Sequence, residues 1–328
     1  MAATFSLFSP SELSFAQVPL SHSAASSNPL DDPPLRLDGR TPLQYRDIVL
    51  DTNVSHAQGA LGSAKVSLDD AAGTGGGGTT EVYAGVRGEI ESMDAGSAGG
   101  RVVVSLECAP TALPALKPDL PQHLASLLTT LFSPSSLPPS LLSQLVVLPS
   151  SKSWTLYLDV LVLSASGGNA SDAALLAARA ALASTRLPPT RSIGFDDAGE
   201  ATEGKDGMTV DEGFSGLVKG GKSGVKAVDF ELVDGGERGV RLAGWEDLPV
   251  GLTLNLINQL PHLDATVLEE AASSSQLLAG FTPSGAVCGL AQLGEGEVEF
   301  ARVMPLVSEA GKYAQELLRT VNAKLRDA

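Results

Sequence analysis

The stretch Trp154–Pro188, WTLYLDVLVLSASGGNASDAALLAARAALASTRLP, decides the fold that this sequence predicts. It begins with an apolar run, Trp154–Leu163, in which Asp159 is the only charged residue. Such a run predicts a long central strand that is covered on both faces. A buried Asp159 needs a partner, so we interpret it as structural or as a remnant of an active site. The alanine- and leucine-rich part that follows predicts a helix that ends near Thr185.

A turn of two glycines leads into this helix, which Asn169 or Ser171 is expected to cap. Backbone N–H groups at a helix N-terminus are unpaired and the helix dipole adds partial positive charge, so a glycine-rich turn there is typical of a phosphate site. Gly167 and Gly168 provide that frame, but no lysine or arginine follows them in the first helical turn, and Asp172 is acidic. The sequence therefore has the backbone of a phosphate site without its cations.

The composition is that of an acidic globular protein. The 328 residues are 43% hydrophobic, enough for one large domain or two smaller ones, and the formal charge is −16. No apolar run approaches the roughly 18 residues of a membrane span, and no basic segment precedes an apolar core at the N-terminus, so we expect neither a membrane span nor a secretory signal. The charge excludes a broad nucleic-acid-binding face but allows a local basic site. The arginines that could form it lie in the N-terminal half: Arg36, Arg40, Arg46, Arg87 and Arg101.

The cysteines and histidines point away from disulfide and metal chemistry. We interpret Cys108 and Cys288, both in apolar strand-like runs, as buried thiols in a reducing compartment. The histidines are scattered without ligand spacing, which argues against a zinc site. They are His22, His56, His123 and His262.

Strands dominate the first third of the chain. A short helix is expected near Pro10–Val18, with Ser11 as its cap. The glycine-rich segment Ala71–Thr80 is expected to be a flexible hairpin insertion, because no helix follows it as a dinucleotide-binding motif requires. Short β-branched runs broken by turn residues predict four strands, Tyr45–Asp51, Gly62–Leu68, Glu81–Ile90 and Arg101–Cys108.

The rest of the chain alternates helices and strands, so each half runs from strands to a helix. This layout predicts an α+β protein of two related units. Helices are expected at Leu120–Phe132, Ala265–Leu278 and Val303–Leu325, and strands at Val225–Val233, Val250–Ile257 and Ala286–Leu293. The expected limits are an irregular N-terminal extension at 1–34, a first domain at 35–195, an acidic, glycine-rich linker at 196–224 (Asp196–Lys222 at its core) and a second domain at 225–328.

Three acids, Asp264, Glu269 and Glu270, surround a predicted strand-to-helix junction in HLDATVLEEAA. Acids in a first helical turn usually stabilise the helix dipole at the surface, and this is our main interpretation. A metal-binding or general-acid role is the alternative. No G-x-S-x-G motif, P-loop or Cys/His pairing offers another catalytic centre.

Several segments, in this order, resemble the RNase PH-type ring subunits of the RNA exosome. They are LRLDGR, YRDIVLDTNV, GSAKVSL, VYAGVRGEI, the stretch quoted above and HLDATVLEEAAS. The resemblance covers roughly residues 35–195 and 225–325. It implies an RNase PH fold, of the ribosomal protein S5 domain 2-like type, in which two β-sheet/helix halves pack together.

The resemblance also implies that the chain is not an enzyme. Active members place Thr and Arg after the paired glycines, in a GGTR-like turn that holds phosphate, whereas Asn169 and Ala170 stand here. Gly167, Gly168 and Asn169 thus form a degenerate phosphate turn. The HLDATVLEEAA segment does not reproduce the family's catalytic carboxylate spacing. These departures imply a paralogue with no catalytic residue, no metal and no cofactor.

As partners, the resemblance implies other RNase PH-like exosome subunits in a hetero-hexameric ring, cap subunits and an associated nuclease. RNA would thread the ring's channel and bind weakly, in support of rRNA maturation and RNA turnover in the nucleus, nucleolus and cytoplasm. Arg87 and Arg101 flank the turn Ser92–Gly100, whose family counterpart faces the channel, so they are RNA-channel candidates. The alternative is that both are solvated surface arginines, paired with Glu89 or Glu91.

Two other functions remain open from the sequence. One is a phosphorolytic 3′–5′ exoribonuclease with phosphate as co-substrate. The other is an acidic α+β protein-interaction module.

Overall fold

The computed structural model describes residues 8–23, 35–54, 59–69, 78–93, 99–116, 119–149, 151–193, 229–233, 239–294 and 296–327. Its helices are α1 (Pro10–Ser23), α2 (Leu120–Leu131), α3 (Pro139–Gln144), α4 (Ala170–Ser184), α5 (Val267–Ala272) and α6 (Phe300–Asp327). Its strands are β1 (Ile48–Thr52), β2 (Gly62–Asp69), β3 (Thr79–Ser92), β4 (Arg101–Cys108), β5 (Val146–Leu148), β6 (Lys152–Ala165), β7 (Arg186–Leu187), β8 (Thr190–Ile193), β9 (Asp229–Leu232), β10 (Val240–Arg241), β11 (Val250–Ile257), β12 (Leu260–Leu263), β13 (Ser275–Phe281) and β14 (Val287–Leu293).

Two main sheets form the framework. The first has the order β1-β2-β3-β6-β4, with β5 also paired to β6, and the second has the order β12-β11-β13-β14. All pairs are antiparallel except β4 with β6, which are parallel. Two short ribbons, β7 with β10 and β8 with β9, lie beside them. The α+β class expected from the sequence is therefore confirmed.

Helix α4 lies between the two sheets. It contacts β2, β3 and β6 on one side and β11 on the other, and every one of its residues is buried. Two glycines allow this close approach. A Cβ at Gly62 would lie 2.6 Å from the carbonyl oxygen of Ala181, and one at Gly251 would lie 2.7 Å from Leu175 Cδ1. The alanine-rich composition of α4 thus follows from its place in the middle layer, where small side chains let two sheets approach one helix.

Helix α6 covers the other face of the second sheet. The helix expected at Val303–Leu325 is present, and an apolar stripe on it is buried: Leu306, Ala310, Leu317, Val321 and Leu325. The strand β11 is buried along its whole length because α4 packs on one face and α6 on the other. The layers are therefore the first sheet, α4, the second sheet and α6.

Several local predictions are wrong. The segment predicted as one helix, Ala265–Leu278, forms the short α5 and then β13, and the strand β12 before it was not predicted. The residue that caps α1 is Ser9, whose side chain accepts from the Glu12 backbone N–H, and not Ser11. Thr79 and Thr80 belong to β3 and not to the glycine-rich insertion. The rest of that insertion and the segment Asp196–Lys222 lie outside the described residues.

Strand β6 is central, as predicted, but only one of its faces is covered. Leu161 and Leu163 are 39% and 40% exposed. Asp159 is not buried either: its side chain is 47% exposed and forms an ion pair with Arg87. The single charge in the run therefore marks the open face of the sheet.

Both cysteines are free thiols and are partly buried. Burial raises the pKa of Cys108 and of Cys288. Within the described part of the chain, no helix is long and apolar enough to cross a membrane.

Candidate functional site

The turn before α4 packs against the loop that leads into α5. Gly168 has a φ of +79°, and a Cβ there would lie 2.6 Å from both the carbonyl oxygen of Ala265 and the backbone nitrogen of Val267. Asn169 follows with a left-handed φ of 53°. Asn169 is the residue before the first helical turn, as predicted, but its side chain makes no capping hydrogen bond to α4. Its side-chain amide instead donates to two carboxylates.

Carboxylates of the same chain occupy the positive end of α4. Glu270 Oε1 accepts a hydrogen bond from the backbone N–H of Asn169 at 3.0 Å. Asp264 Oδ1 accepts from Asn169 Nδ2 at 2.8 Å, and Asp172 Oδ2 from the same nitrogen at 3.3 Å. A helix N-terminus stabilises an anion, and here Glu270 and Asp264 reach it from the second half of the chain.

Two arginines from the N-terminal segment neutralise Asp264. Arg46 donates from Nη2 to Oδ1 at 2.9 Å and from Nε to Oδ2 at 2.9 Å, while Arg40 Nη1 donates to Oδ2 at 2.8 Å. Arg46 Nη1 also donates to the carbonyl oxygen of Gly167 at 2.7 Å. Burial alone would raise the pKa of Asp264, but the hydrogen bonds and charges of Arg46 and the charge of Arg40 outweigh it and hold this pKa at about 2. Asp264 is therefore ionised at neutral pH.

A second buried ion pair lies beside the first. Arg36 pairs with Glu269, whose carboxylate also accepts from the Thr266 backbone N–H at 2.8 Å, so that Thr266 and Glu269 form a capping box at the start of α5. Arg36 Nη1 donates to the carbonyl oxygen of Leu263 at 2.8 Å. Burial raises the pKa of Glu269, but Arg36 outweighs it and the net pKa is lowered.

A tyrosine closes the cluster on the side of α4. The Tyr45 hydroxyl donates to Asp172 Oδ2 at 2.9 Å. Burial raises the pKa of Asp172 to about 7, and the nearby charge of Asp264 adds to the increase. Burial and the Asp172 carboxylate also raise the pKa of Tyr45. The pKa of Asp172 therefore lies near neutrality.

The surface interpretation of the three acids is therefore wrong. Asp264, Glu269 and Glu270 are buried, and arginines from more than 200 positions earlier in the chain pair with the first two. A sequence pattern cannot show such a pairing, although the charges of LRLDGR and HLDATVLEE are complementary. Arg36, Arg40 and Arg46 form ion pairs with these acids, so they do not form an exposed basic site. We call this group the carboxylate plug; its members are Arg36, Arg40, Tyr45, Arg46, Asn169, Asp172, Asp264, Glu269 and Glu270.

The plug holds the N-terminal segment, the glycine turn and the α5 loop together. Residues Ala170, Ser171 and Asp172 at the start of α4 are at most 2% exposed. A phosphate ion would have to displace buried carboxylates to reach these backbone N–H groups, and it would meet their negative charge. The turn at Gly167, Gly168 and Asn169, which the resemblance predicts to be a degenerate phosphate turn, is therefore covered by carboxylates of the same chain.

The two RNA-channel candidates lie elsewhere, on the open face of the first sheet. Arg87 pairs with Asp159 at 3.1 Å, and Arg101 pairs with Glu91 at 2.7 Å. The Glu91 carboxylate also accepts from Thr155 at 2.7 Å. The pairing of Arg101 with Glu91 is the surface alternative stated above, whereas the partner of Arg87 was not anticipated. Nothing in this geometry tests their contact with RNA, which stays a prediction.

Metal ligands do not converge in the part of the chain that the structure describes, where no cluster of three or more His, Cys, Asp or Glu side chains has a geometry suited to a metal ion.

Comparison with known proteins identifies the fold. Residues 44–188 match the model of the 3′ exoribonuclease family, domain 1. The exosome complex component Rrp42 of Sulfurisphaera tokodaii is 39% identical over 157 residues, which are 47% of this chain and 53% of that protein. Rrp42 of Methanothermobacter thermautotrophicus is 26% identical over 88% of this chain and 90% of that protein. The chain therefore spans about half of the first relative and about nine tenths of the second.

A solved structure, the Archaeoglobus fulgidus exosome with RNA bound to the active site, contains a chain that is 20% identical to this one. It superposes with a TM-score of 0.63 over 94% of this chain and 97% of that one. This likeness shows the fold. Together with the family match over residues 44–188, it confirms the RNase PH-type resemblance that the ordered motifs indicate.

Proposed function

We propose that this Rrp42-like chain is a non-catalytic structural subunit of an RNA exosome ring. In this role it supports 3′-to-5′ RNA processing and degradation by helping to thread RNA to nuclease subunits. The names of the relatives support the exosome assignment, because both are exosome components. The resemblance supplies the remaining parts of the proposal: RNase PH-like neighbours in a hetero-hexameric ring, cap subunits, an associated nuclease, and residence in the nucleus, nucleolus and cytoplasm.

The carboxylate plug carries the non-catalytic part of the proposal. Phosphorolysis needs a phosphate ion held next to the RNA 3′ end, and electrostatic stabilisation of that anion is the main task of the protein. Here the positive end of α4 faces Glu270 and Asp264 instead, and the arginines that could serve phosphate are paired with Asp264 and Glu269. The alternative function as a phosphorolytic exoribonuclease is therefore disfavoured by a specific contact.

The test is a phosphorolysis assay with the purified full chain, single-stranded RNA and excess inorganic phosphate. We expect no phosphate-dependent release of nucleoside diphosphates. A phosphorolytic bacterial RNase PH-type enzyme serves as the positive control for the assay. Release that depends on phosphate and disappears in Asp264→Asn, in a preparation that remains folded, would overturn the assignment and favour the enzyme.

The ring role is tested by association. Co-expression with another RNase PH-type exosome subunit of the same organism should yield a stable heteromer by size-exclusion chromatography with light scattering. A chain that stays monomeric with every such subunit would contradict the ring role and favour the interaction-module alternative.

A further inference from the structure

In the described part of the chain, no helix and no second sheet packs on the outer face of the first sheet. Side chains on its inner face, such as Val82 and Val86, are fully buried against α4. The strand register fixes the outer face. One row runs Asp51–Lys65–Tyr83–Leu161–Glu107 across five strands, and the next row contains Ser63, Gly85, Asp159 and Ser105. Apolar side chains are exposed among these polar ones, since Leu161 and Val103 are each 39% exposed.

A glycine forms a notch in the middle of this face. Gly85 lies on β3 between Ser63 of β2 and Asp159 of β6. A Cβ at Gly85 would have no atom within 4 Å, so the space above it is open. The notch has a volume of about 250 Å³, and Tyr83 and Leu161 are among its walls. This shape suits the insertion of one long side chain.

The rim of the notch carries a half-exposed carboxylate. Asp159 is 47% exposed, and its ion-pair partner among the described residues, Arg87, is itself 60% exposed. Exposed pairs of this kind hold together weakly and exchange partners at little cost. A cation that enters the notch can therefore bind Asp159 without breaking a buried interaction.

The whole face is negatively charged. Its carboxylates outnumber its cations, and each cation already has a partner within the face. The described pairs are Lys65–Glu81 at 2.7 Å, Arg87–Asp159 at 3.1 Å and Arg101–Glu91 at 2.7 Å. The remaining carboxylates on the same rows have no ion-pair partner among the described residues: Asp51, Glu89 and Glu107. Such a surface attracts a basic protein surface.

We propose that the outer face of the first sheet docks a basic protein surface, and that the Gly85 notch receives one arginine or lysine side chain from it. The methylene groups of that side chain would pack on Tyr83 and Leu161, and its charged end would bind Asp159. The inference rests on the proposed function, because it takes the partner to be another RNase PH-type subunit of the ring.

The experiment uses the full chain and a purified RNase PH-type exosome subunit of the same organism, with affinity measured by isothermal titration calorimetry. Gly85→Leu fills the notch from open space, so it should leave the melting temperature unchanged and weaken binding by about tenfold or more. Thr320→Leu adds a similar side chain at an exposed position of α6 and should leave the affinity unchanged.

A second pair of variants tests the rim charge. Asp159→Asn and Glu89→Gln each remove one exposed carboxylate from the same face, but only Asp159 borders the notch. Asp159→Asn should weaken binding by more than Glu89→Gln does, and its binding should depend less on salt.

The outcomes are distinct. If the parent chain binds the subunit and Gly85→Leu binds equally well, the notch is not a docking site although the ring role stands. Equal effects of Asp159→Asn and Glu89→Gln on binding would likewise overturn the assignment of the notch as a docking site. If the parent chain binds no RNase PH-type subunit, the ring role itself fails. Loss of RNA binding in Gly85→Leu with unchanged subunit binding would assign the face to RNA and overturn a protein occupant.

Discussion

Asn169 donates its backbone N–H to Glu270 at 3.0 Å, although the two residues are 101 positions apart in the chain. Asn169 precedes the first turn of α4, and Glu270 lies in α5, so this single bond joins the glycine turn of the first half to a helix of the second. A backbone N–H at the start of a helix can donate to an external anion. Here Glu270, a side chain of the same protein, accepts the hydrogen bond from the Asn169 N–H instead.

Glu270→Gln should destabilise the fold modestly. The glutamine keeps an oxygen for the Asn169 N–H but loses the negative charge at the positive end of α4, which we expect to cost about 1–2 kcal/mol of unfolding free energy. Chemical denaturation of the full chain measures it. Glu316→Gln, an exposed position on α6, is the control and should have little effect. An unchanged unfolding free energy in Glu270→Gln would show that the charge at α4 does not contribute.

Asp264→Asn should be far more damaging than Asp159→Asn, although both replace an aspartate that pairs with arginine. Asp264 is fully buried between Arg40 and Arg46, and its loss removes the carboxylate that these two arginines share, which we expect to cost about 3–5 kcal/mol. Asp159 pairs at the surface, where such a pair contributes about 1 kcal/mol or less. Denaturation midpoints of the two variants give the comparison, and similar midpoints would contradict the plug as a stabilising element.

Asp264 should also determine part of the loss of stability that the chain shows in acid. The pKa of Asp264 is about 2 in the fold, below its usual value of 3.8. Its contribution to stability is therefore complete above pH of about 4 and is lost as the pH falls toward about 2. Asp264→Asn should accordingly remove part of the loss of stability that the parent chain shows over this window. A parallel pH dependence of the two proteins would exclude Asp264 as its source.

Asp172 should affect the pH dependence of stability in the opposite direction, so that its contribution decreases as the pH rises. Its pKa of about 7 lies above its usual value of 3.8, so the folded chain holds a proton that the unfolded chain releases. Stability from this residue is full below pH of about 4 and decreases as the pH rises to about 7, by up to about 4 kcal/mol. Asp172→Asn, which is neutral at every pH, should be less sensitive to pH between 5 and 8 than the parent chain. Urea denaturation at both ends of that range checks this, and an equal slope in both proteins would contradict it.

Arg101→Glu should weaken RNA binding in an assembled ring if Arg101 contacts the RNA backbone. The loss would be equal for all RNA sequences and smaller at high salt, because a phosphate contact carries no base information. Since Arg101 is paired with Glu91, Glu91→Gln is the matched variant and should leave binding unchanged or increase it. Fluorescence anisotropy with labelled RNA measures both. Equal RNA affinity of the Arg101→Glu ring and the parent ring at low salt would remove Arg101 from the channel.

The sequence predicted those parts of the fold that are set by local pattern. Trp154–Pro188 is a strand, a glycine turn and a helix, as expected, because an apolar run, a pair of glycines and an alanine- and leucine-rich run follow one another there. The segment Ala265–Leu278 was misassigned because short apolar runs suit either a helix or a strand, and pairing with β11 decides the matter for β13. Local pattern carries no information about that pairing.

The site was harder to predict for a similar reason. Asp264 and Glu269 follow a pattern that is typical of solvated helix-capping acids, and Asp159 follows one that is typical of a buried acid. The structure reverses both. Arg36, Arg40 and Arg46 bury the first two by reaching across from the N-terminal segment, while the open side of the first sheet exposes the third. Both outcomes depend on which layers cover which face.

The position of α4 between two sheets has a consequence for how the chain can be divided. A fragment that ended just after α4 would keep the first sheet but leave Leu175 and its neighbours without β11, and a fragment that began after α4 would lack the middle layer altogether. Each half therefore depends on the other to bury part of its hydrophobic core. We therefore expect the two halves to unfold together, in one cooperative transition of the full chain.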